Sequence, residues 1–173
     1  SPQPPSSKAI VSQKHSQWSP PHSHHNPEKE VLHVRTLSSA IEFNSKYEHR
    51  EKACIFCSPK RKAIIENNLA IAFYDKYPVT DLHTLIIPKR HCEDYFELTQ
   101  AELNAINQLI FQLKDILKQK DSSIDGFNIG NNSGGEAGQT IFHAHIHLIP
   151  RRKGDVDNPI GGVRNVIFGK GKY

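Results

Sequence analysis

The sequence predicts an α+β domain, a twisted antiparallel sheet backed by one long helix. Two observations carry this prediction. An unbroken helical repeat runs from Thr99 to Lys120, and short apolar runs with turn punctuation lie before and after it. The helix is set apart from the strands rather than alternating with them, which argues against a doubly wound parallel sheet.

Taken in order, residues 1–50 read as an extension that is disordered or weakly structured. They hold most of the prolines and several serines, as in SPPHSHH at Ser19–His25, too little apolar surface to offset the entropy of ordering. His22, His24 and His25 are read there as part of a solvated tail. An amphipathic pattern around Ala40, Ile41 and Phe43 suggests a short helix, and residues 51–173 form the expected domain. LAIAFYD from Leu69 and HTLIIP from His83 predict two strands of an antiparallel hairpin, joined by the KYPVTDL turn. Thr99 with Glu102 three residues on has the form of a capping box. Leu103, Ile106, Leu109, Ile110, Leu113, Ile116 and Leu117 then line one helix face. DGFNIGNN predicts a third strand, SGGEAG a loop, and TIFHAHIHLIP a fourth strand ended by Pro150.

Bulk properties narrow the function. The 173 residues carry 22 Lys and Arg against 18 Asp and Glu, a net charge of +4. That excess suits a phosphate-bearing ligand and is too weak and scattered to argue for nucleic acid. No apolar run approaches the ~20 residues of a membrane-spanning helix, and no signal peptide is recognised. Three cysteines, two of them paired in Cys54-Ile55-Phe56-Cys57, suit a metal or redox site inside the cell better than a disulfide framework, so a cytoplasmic location is expected. The start at Ser1 and the lack of methionine read as a processed or trimmed chain.

The densest chemical signal is GGEAGQTIFHAHIHLIP, Gly134 to Pro150. On a strand His143, His145 and His147 share one face, and Phe142, Ala144, Ile146 and Leu148 the other, where they are expected to pack on the helix. An exposed strand face needs polar residues of any kind, and three successive histidines are a poor way to meet that need. Imidazole is neutral and nucleophilic near pH 7 and also donates a proton, which suits attack on phosphorus through a covalent intermediate. Gly134, Gly135 and Gly138 let backbone approach a phosphate, with loop amides as donors and Gln139 and Thr140 at the mouth. Cys54 and Cys57 could be a redox pair, two buried thiols or half of a zinc site. A catalytic zinc held by triad histidines is a further alternative, although it leaves the cysteines without a purpose. Arg151, Arg152, Lys153 and Arg164 could meet distal phosphates, but each is read first as an ordinary surface charge.

HAHIHLI resembles the H-φ-H-φ-H-φ-φ signature of the histidine-triad (HIT) family, φ being apolar. CIFC, AFYDKYPVTDLHTLIIPKRH and NNSGGEAGQTIFHAHIHLIPRRKGD look like its zinc-containing bacterial-type branch. The resemblance implies a HIT-like sheet with one long and one shorter helix, and a nucleotide hydrolase acting at the α-phosphate. His145 would attack and His147 would contact the phosphate and help the leaving group. Asn132, Gly138, Gln139 and Thr140 would form the phosphate loop, Asp75 would bind ribose, and His83 would border the nucleotide. The resemblance also supplies His91 and His143 as partners of Cys54 and Cys57 in a closed structural zinc site, with no catalytic metal. A homodimer is implied, with a dinucleoside polyphosphate or nucleoside phosphoramidate as substrate. Alternatives are a nucleotide-binding adaptor with little turnover and a nucleotidyl transferase or phosphorylase, the latter disfavoured because its relatives carry glutamine where His147 stands. The stretch SPKRKAIIENN between Cys57 and Leu69 is compressed where relatives build part of the base wall, leaving base preference open.

Overall fold

Thr99 starts the long helix as its sequence predicts, and the cap ties that helix to the rest of the chain. The computed structural model describes residues 45–58 and 60–171. Helix α1 spans Gln100–Lys120. The Thr99 hydroxyl accepts from the Glu102 amide, and the Glu102 carboxylate accepts from the Thr99 amide, completing the capping box. Glu102 is 0% exposed, yet its charge is satisfied, because the Arg90 guanidinium donates to it twice at 2.9 and 2.8 Å. Burial alone would raise its pKa; the Arg90 fork and the Thr99 donors outweigh that and hold the carboxyl below its usual range.

Five strands form one antiparallel sheet: β1 (Ile65–Glu66), β2 (Ala70–Tyr74), β3 (Thr84–Pro88), β4 (Ile124–Gly130) and β5 (Ile146–Arg152). Their spatial order is β1-β2-β3-β5-β4. The hairpin of β2 and β3 pairs Ala72 with Ile86 and Phe73 with Leu85. Side-chain alternation then splits the apolar residues between two faces. Ala70, Ala72, Ile86, Ile146 and Leu148 meet Ile106, Leu109, Leu113 and Leu117 of α1 in the main core. The two alanines of β2 leave room for the helix to lie close. On the opposite face Phe73, Leu85 and Ile87 are covered by Phe56. This second cluster explains why β3 is buried along its whole length, and it places the CIFC segment over the sheet.

The structure departs from the expected elements in four places. Strand β1 was not foreseen; it is two residues long and is recruited by β2 through Ile65 and Glu66. The SGGEAG loop contains a single 3-10 turn, Gly135–Ala137. Strand β5 begins at Ile146 rather than Thr140, because the chain before it pairs elsewhere: the Ala144 amide donates to the Cys92 carbonyl at 2.8 Å. Phe142 is accordingly half exposed and does not pack on the helix, while Ile146 and Leu148 do. The strand also runs through Pro150 to Arg152. The Pro150 carbonyl accepts from the Thr80 hydroxyl on the side away from β4, so the proline's missing N–H costs the β4 ladder nothing.

The packed region starts ahead of the expected boundary at residue 51. The His91 amide donates to the His49 carbonyl at 2.7 Å, and Tyr47 reaches the Thr99 hydroxyl. The short helix expected around Ala40, Ile41 and Phe43, the disorder expected over residues 1–44 and the His22, His24 and His25 group lie outside the described residues. No helix among the described residues is long and apolar enough to cross a membrane.

Candidate functional site: a histidine row beside a cysteine–histidine cluster

His143, His145 and His147 follow one another along the chain into β5, and each is held by a different partner. His143 is 0% exposed and places its Nε2 3.0 Å from the Pro88 carbonyl. A carbonyl only accepts, so Nε2 carries the proton and the lone pair sits on Nδ1. Burial, against the Pro88 hydrogen bond and aided by charged neighbours, pushes the His143 pKa down to about 4, so the ring is neutral at pH 7. The Nδ1 atom faces both cysteines, 3.5 Å from Cys54 Sγ and 3.5 Å from Cys57 Sγ. His91 Nδ1 lies 3.4 Å from Cys57 Sγ. All four ligand atoms lie within 4.8 Å of one another.

This donor set fits a tetrahedral metal. With Zn–S near 2.3 Å and Zn–N near 2.0–2.1 Å, adjacent sulfur and nitrogen ligands stand about 3.5 Å apart. The Glu51 amide points at Cys57 Sγ at 3.4 Å, and the Pro88 carbonyl holds the far side of His143, so the outer partners that orient ligands are present as well. All three cysteines are free of disulfides. Cys92 is buried, its thiol pushed up to about 12 mainly by burial, and it stands apart from the cluster.

His145 hydrogen-bonds through Nδ1 to the His143 carbonyl at 2.8 Å. By the same rule Nδ1 is the donor, which leaves the Nε2 lone pair unspent. The ring is 7% exposed and lies 5.3 Å, edge to face, from the Phe56 ring. Phe56 also touches Phe73 and His143, so the side chain between the two cysteines packs against the row.

His147 meets His83: Nδ1 and Nε2 are 2.9 Å apart. The Val79 amide donates to His83 Nδ1 at 3.3 Å, so His83 carries its proton on Nε2 and donates it to His147 Nδ1. His147 therefore keeps its own proton on Nε2. Burial, then the neighbouring His145 and His83, push the His147 pKa down to about 4. Burial also lowers that of His83, against the pull of Asp75, whose carboxylate lies 3.5 Å from His83 Nδ1. Asp75 further accepts from the Tyr77 amide, an Asx turn that begins the β2–β3 connection. His83, 3% exposed, is thus no ordinary strand-start residue.

The loop before the row is shaped by Gly134 and Gly138, both at φ +87°, a conformation that side-chain-bearing residues rarely adopt. Its expected division of labour changes in two respects. Gln139 is buried, its Nε2 donating to the Glu93 and Ile141 carbonyls and its Oε1 accepting from the Gly134 amide. It braces the loop from inside. The amides of Gly134, Ala137, Gly138 and Gln139 are likewise spent within the loop. Thr140 is exposed, and Asn132 makes only a 3.5 Å contact with the Gly138 carbonyl. Arg151 and Arg152 are committed to Asp155 and Asp121, the reading of them as ordinary surface charges. The roles of Phe56, the Pro88 carbonyl and the His143 carbonyl were not anticipated; only the position of Phe56 between two cysteines hinted at its place.

An antiparallel sheet, one long helix and a histidine row entering the strand beside its centre together define the class: histidine-triad folds. The HIT domain description matches residues 58–154, more than half of the chain, and the chain belongs to the HIT domain family. An uncharacterised HIT-like protein of Mycoplasma genitalium is 41% identical over 108 residues, 57% of this chain and 73% of that one. Adenosine 5'-monophosphoramidase HNT1 of Candida albicans is 32% identical over 109 residues, 58% of this chain and 71% of that one. Among solved structures, a Zn-bound histidine triad family protein from Mycobacterium smegmatis aligns with a TM-score of 0.55 at 33% identity, covering 60% of this chain and 78% of its own.

Proposed function

We propose that this chain hydrolyses a nucleotide at its α-phosphate through a covalent His145 adduct. The observation that carries the reading is the pair of opposed tautomers: a lone pair on His145 Nε2 next to a proton on His147 Nε2, with ring centroids 5.1 Å apart. In the first displacement His145 Nε2 bonds to the α-phosphorus, and the bond from phosphorus to the leaving oxygen or nitrogen breaks. The leaving atom takes its proton from solvent, while the His147 Nε2–H donates a hydrogen bond to it and the neutral ring keeps its proton. The Nδ1–H of His145 then faces a carbonyl while the ring becomes cationic, a hydrogen bond that strengthens as charge develops. In the second displacement water bonds to phosphorus and releases its proton to solvent, and the P–N bond returns its electrons to His145. Thr140 and Asn132 hold the phosphate oxygens, and Asp75 the ribose hydroxyls.

Zinc in the Cys54, Cys57, His91 and His143 site fits the bacterial-type branch of the family, and its part is structural, fixing the segment that carries Phe56. Free thiolate ligands suit a reducing compartment such as the cytoplasm. A homodimer through the β4 edge is part of the same reading, since Phe111 and Ile129 lie exposed beside that strand. The substrate class is a nucleoside phosphoramidate or dinucleoside polyphosphate; the phosphoramidase relative from Candida albicans favours the former. The test is nucleoside monophosphate release from both, with His145→Ala as the blank. Release that vanishes in the blank supports the mechanism, and equal release by the variant overturns it.

A further inference from the structure

One charged side chain near the histidine row is neither a triad partner nor an ordinary ion pair. Arg61 lies in the compressed stretch between Cys57 and β2, with its guanidinium carbon 4.6 Å from the Phe56 ring centre and 4.4 Å from that of Phe73. Nε and one Nη2 proton are both given to the Ile55 carbonyl. Nη1 makes no hydrogen bond among the described residues, so the outer edge of the guanidinium remains a two-pronged donor. Burial lowers its pKa somewhat, but an arginine stays charged at any working pH.

That edge borders a cleft of about 630 Å³ whose walls also include Lys62, Ile64, Phe73, Tyr74, Ile116 and Lys120. The volume suits a small-molecule ligand. Ile64, Phe73, Tyr74 and Ile116 give a flat ring apolar surface to lie on, beside the open donor edge of Arg61. A single ring, Phe56, stands between the guanidinium and the His145 imidazole. The cleft is therefore placed for the base of a nucleotide whose α-phosphate meets His145.

We propose that Arg61 selects the base, and that it selects guanine. An arginine edge presents parallel donors, and guanine offers two adjacent acceptors, O6 and N7. Adenine puts an amino donor where O6 would be, leaving one arginine proton facing another donor. Pyrimidines lack the paired acceptors on that edge. This inference rests on the nucleotide reading above and assigns its base preference.

The experiment uses the full chain with guanosine and adenosine 5'-phosphoramidates as substrates, and GMP and AMP as equilibrium ligands. A bidentate contact of this kind is worth about tenfold in discrimination. The wild type should favour guanosine by that factor in kcat/KM, chiefly through KM, and bind GMP over AMP similarly. Arg61→Lys keeps the charge and stem without the fork, and both it and Arg61→Ala should bring the ratio close to one. No preference in the wild type, or a preference that survives in Arg61→Lys, overturns the assignment. The two readings separate cleanly. A chain that turns over both bases equally sinks only the role of Arg61. One that hydrolyses neither, yet binds GMP over AMP until Arg61 is replaced, sinks only the hydrolase.

Discussion

Replacing Glu102 with glutamine should weaken the fold and loosen the metal site together. The carboxylate is fully buried and takes two donors from Arg90, one from the Thr99 amide and one from the Thr99 hydroxyl. Removing one partner of a buried ion pair costs 3–5 kcal/mol as a rule, and about 1 kcal/mol more when a helix cap goes with it. Arg90 keeps 17% of its side chain in solvent, and glutamine still accepts one bond, so about 2–3 kcal/mol is expected here. For a domain of this size that lowers Tm by roughly 10 °C. Arg90 also donates to the Glu97 carbonyl and immediately precedes His91, so the variant should surrender metal to a chelator faster than the wild type.

The dependence on pH has a defined sign. A carboxyl whose pKa is lowered by folding stabilises the native state above the ordinary glutamate range, and that contribution is lost as pH falls through the depressed value. The gap between wild type and Glu102→Gln should therefore be full at neutrality and close in acid. Thermal unfolding of the wild type, both single glutamine variants and the Arg90→Gln/Glu102→Gln double mutant checks this, with a coupling of about 2 kcal/mol expected. A Tm change under about 3 °C, or single effects that simply add, would refute the account of the pair.

Two further outcomes follow from the site. Cys57→Ser should lower bound metal from one equivalent per chain and reduce Tm, read by elemental analysis and calorimetry; full metal content with an unchanged Tm would count against the four-ligand cluster. His83→Phe removes the donor that fixes the His147 tautomer, and kcat should fall by about ten- to a hundredfold with KM little changed. A pH–rate profile identical to that of the wild type would show that His83 does not act through His147.

What the sequence made legible was mostly local. The capping box and apolar repeat of α1 lie within a few residues of each other, so Thr99 and Lys120 could be placed closely. The β2–β3 hairpin was readable for the same reason. The start of β5 was not, because alternation along Thr140–His145 cannot distinguish a strand in a ladder from extended chain bonded to a loop at Cys92. Two residues, Ile65 and Glu66, are too few to form a pattern at all. In the site, the cysteine and histidine residues were visible one by one, and their convergence came from the family resemblance. The contact of His83 with His147 spans 64 positions, and the stacking of Arg61 on Phe73 depends on how a short connection folds back. Gln139 is a residue whose burial and backbone bonds no local pattern announced.

The carbonyl of residue 143 fixes which nitrogen of His145 carries the proton. Every amino acid brings that carbonyl, whatever its side chain. The orientation of the His145 ring is thus set through the main chain, independently of the side chain that faces the cysteines at position 143. The four residues of the cysteine–histidine cluster could be exchanged one at a time while His145 Nε2 kept its direction, so long as the backbone kept its path into the strand. Metal dependence and chemistry, though built on adjacent side chains, are free to evolve apart.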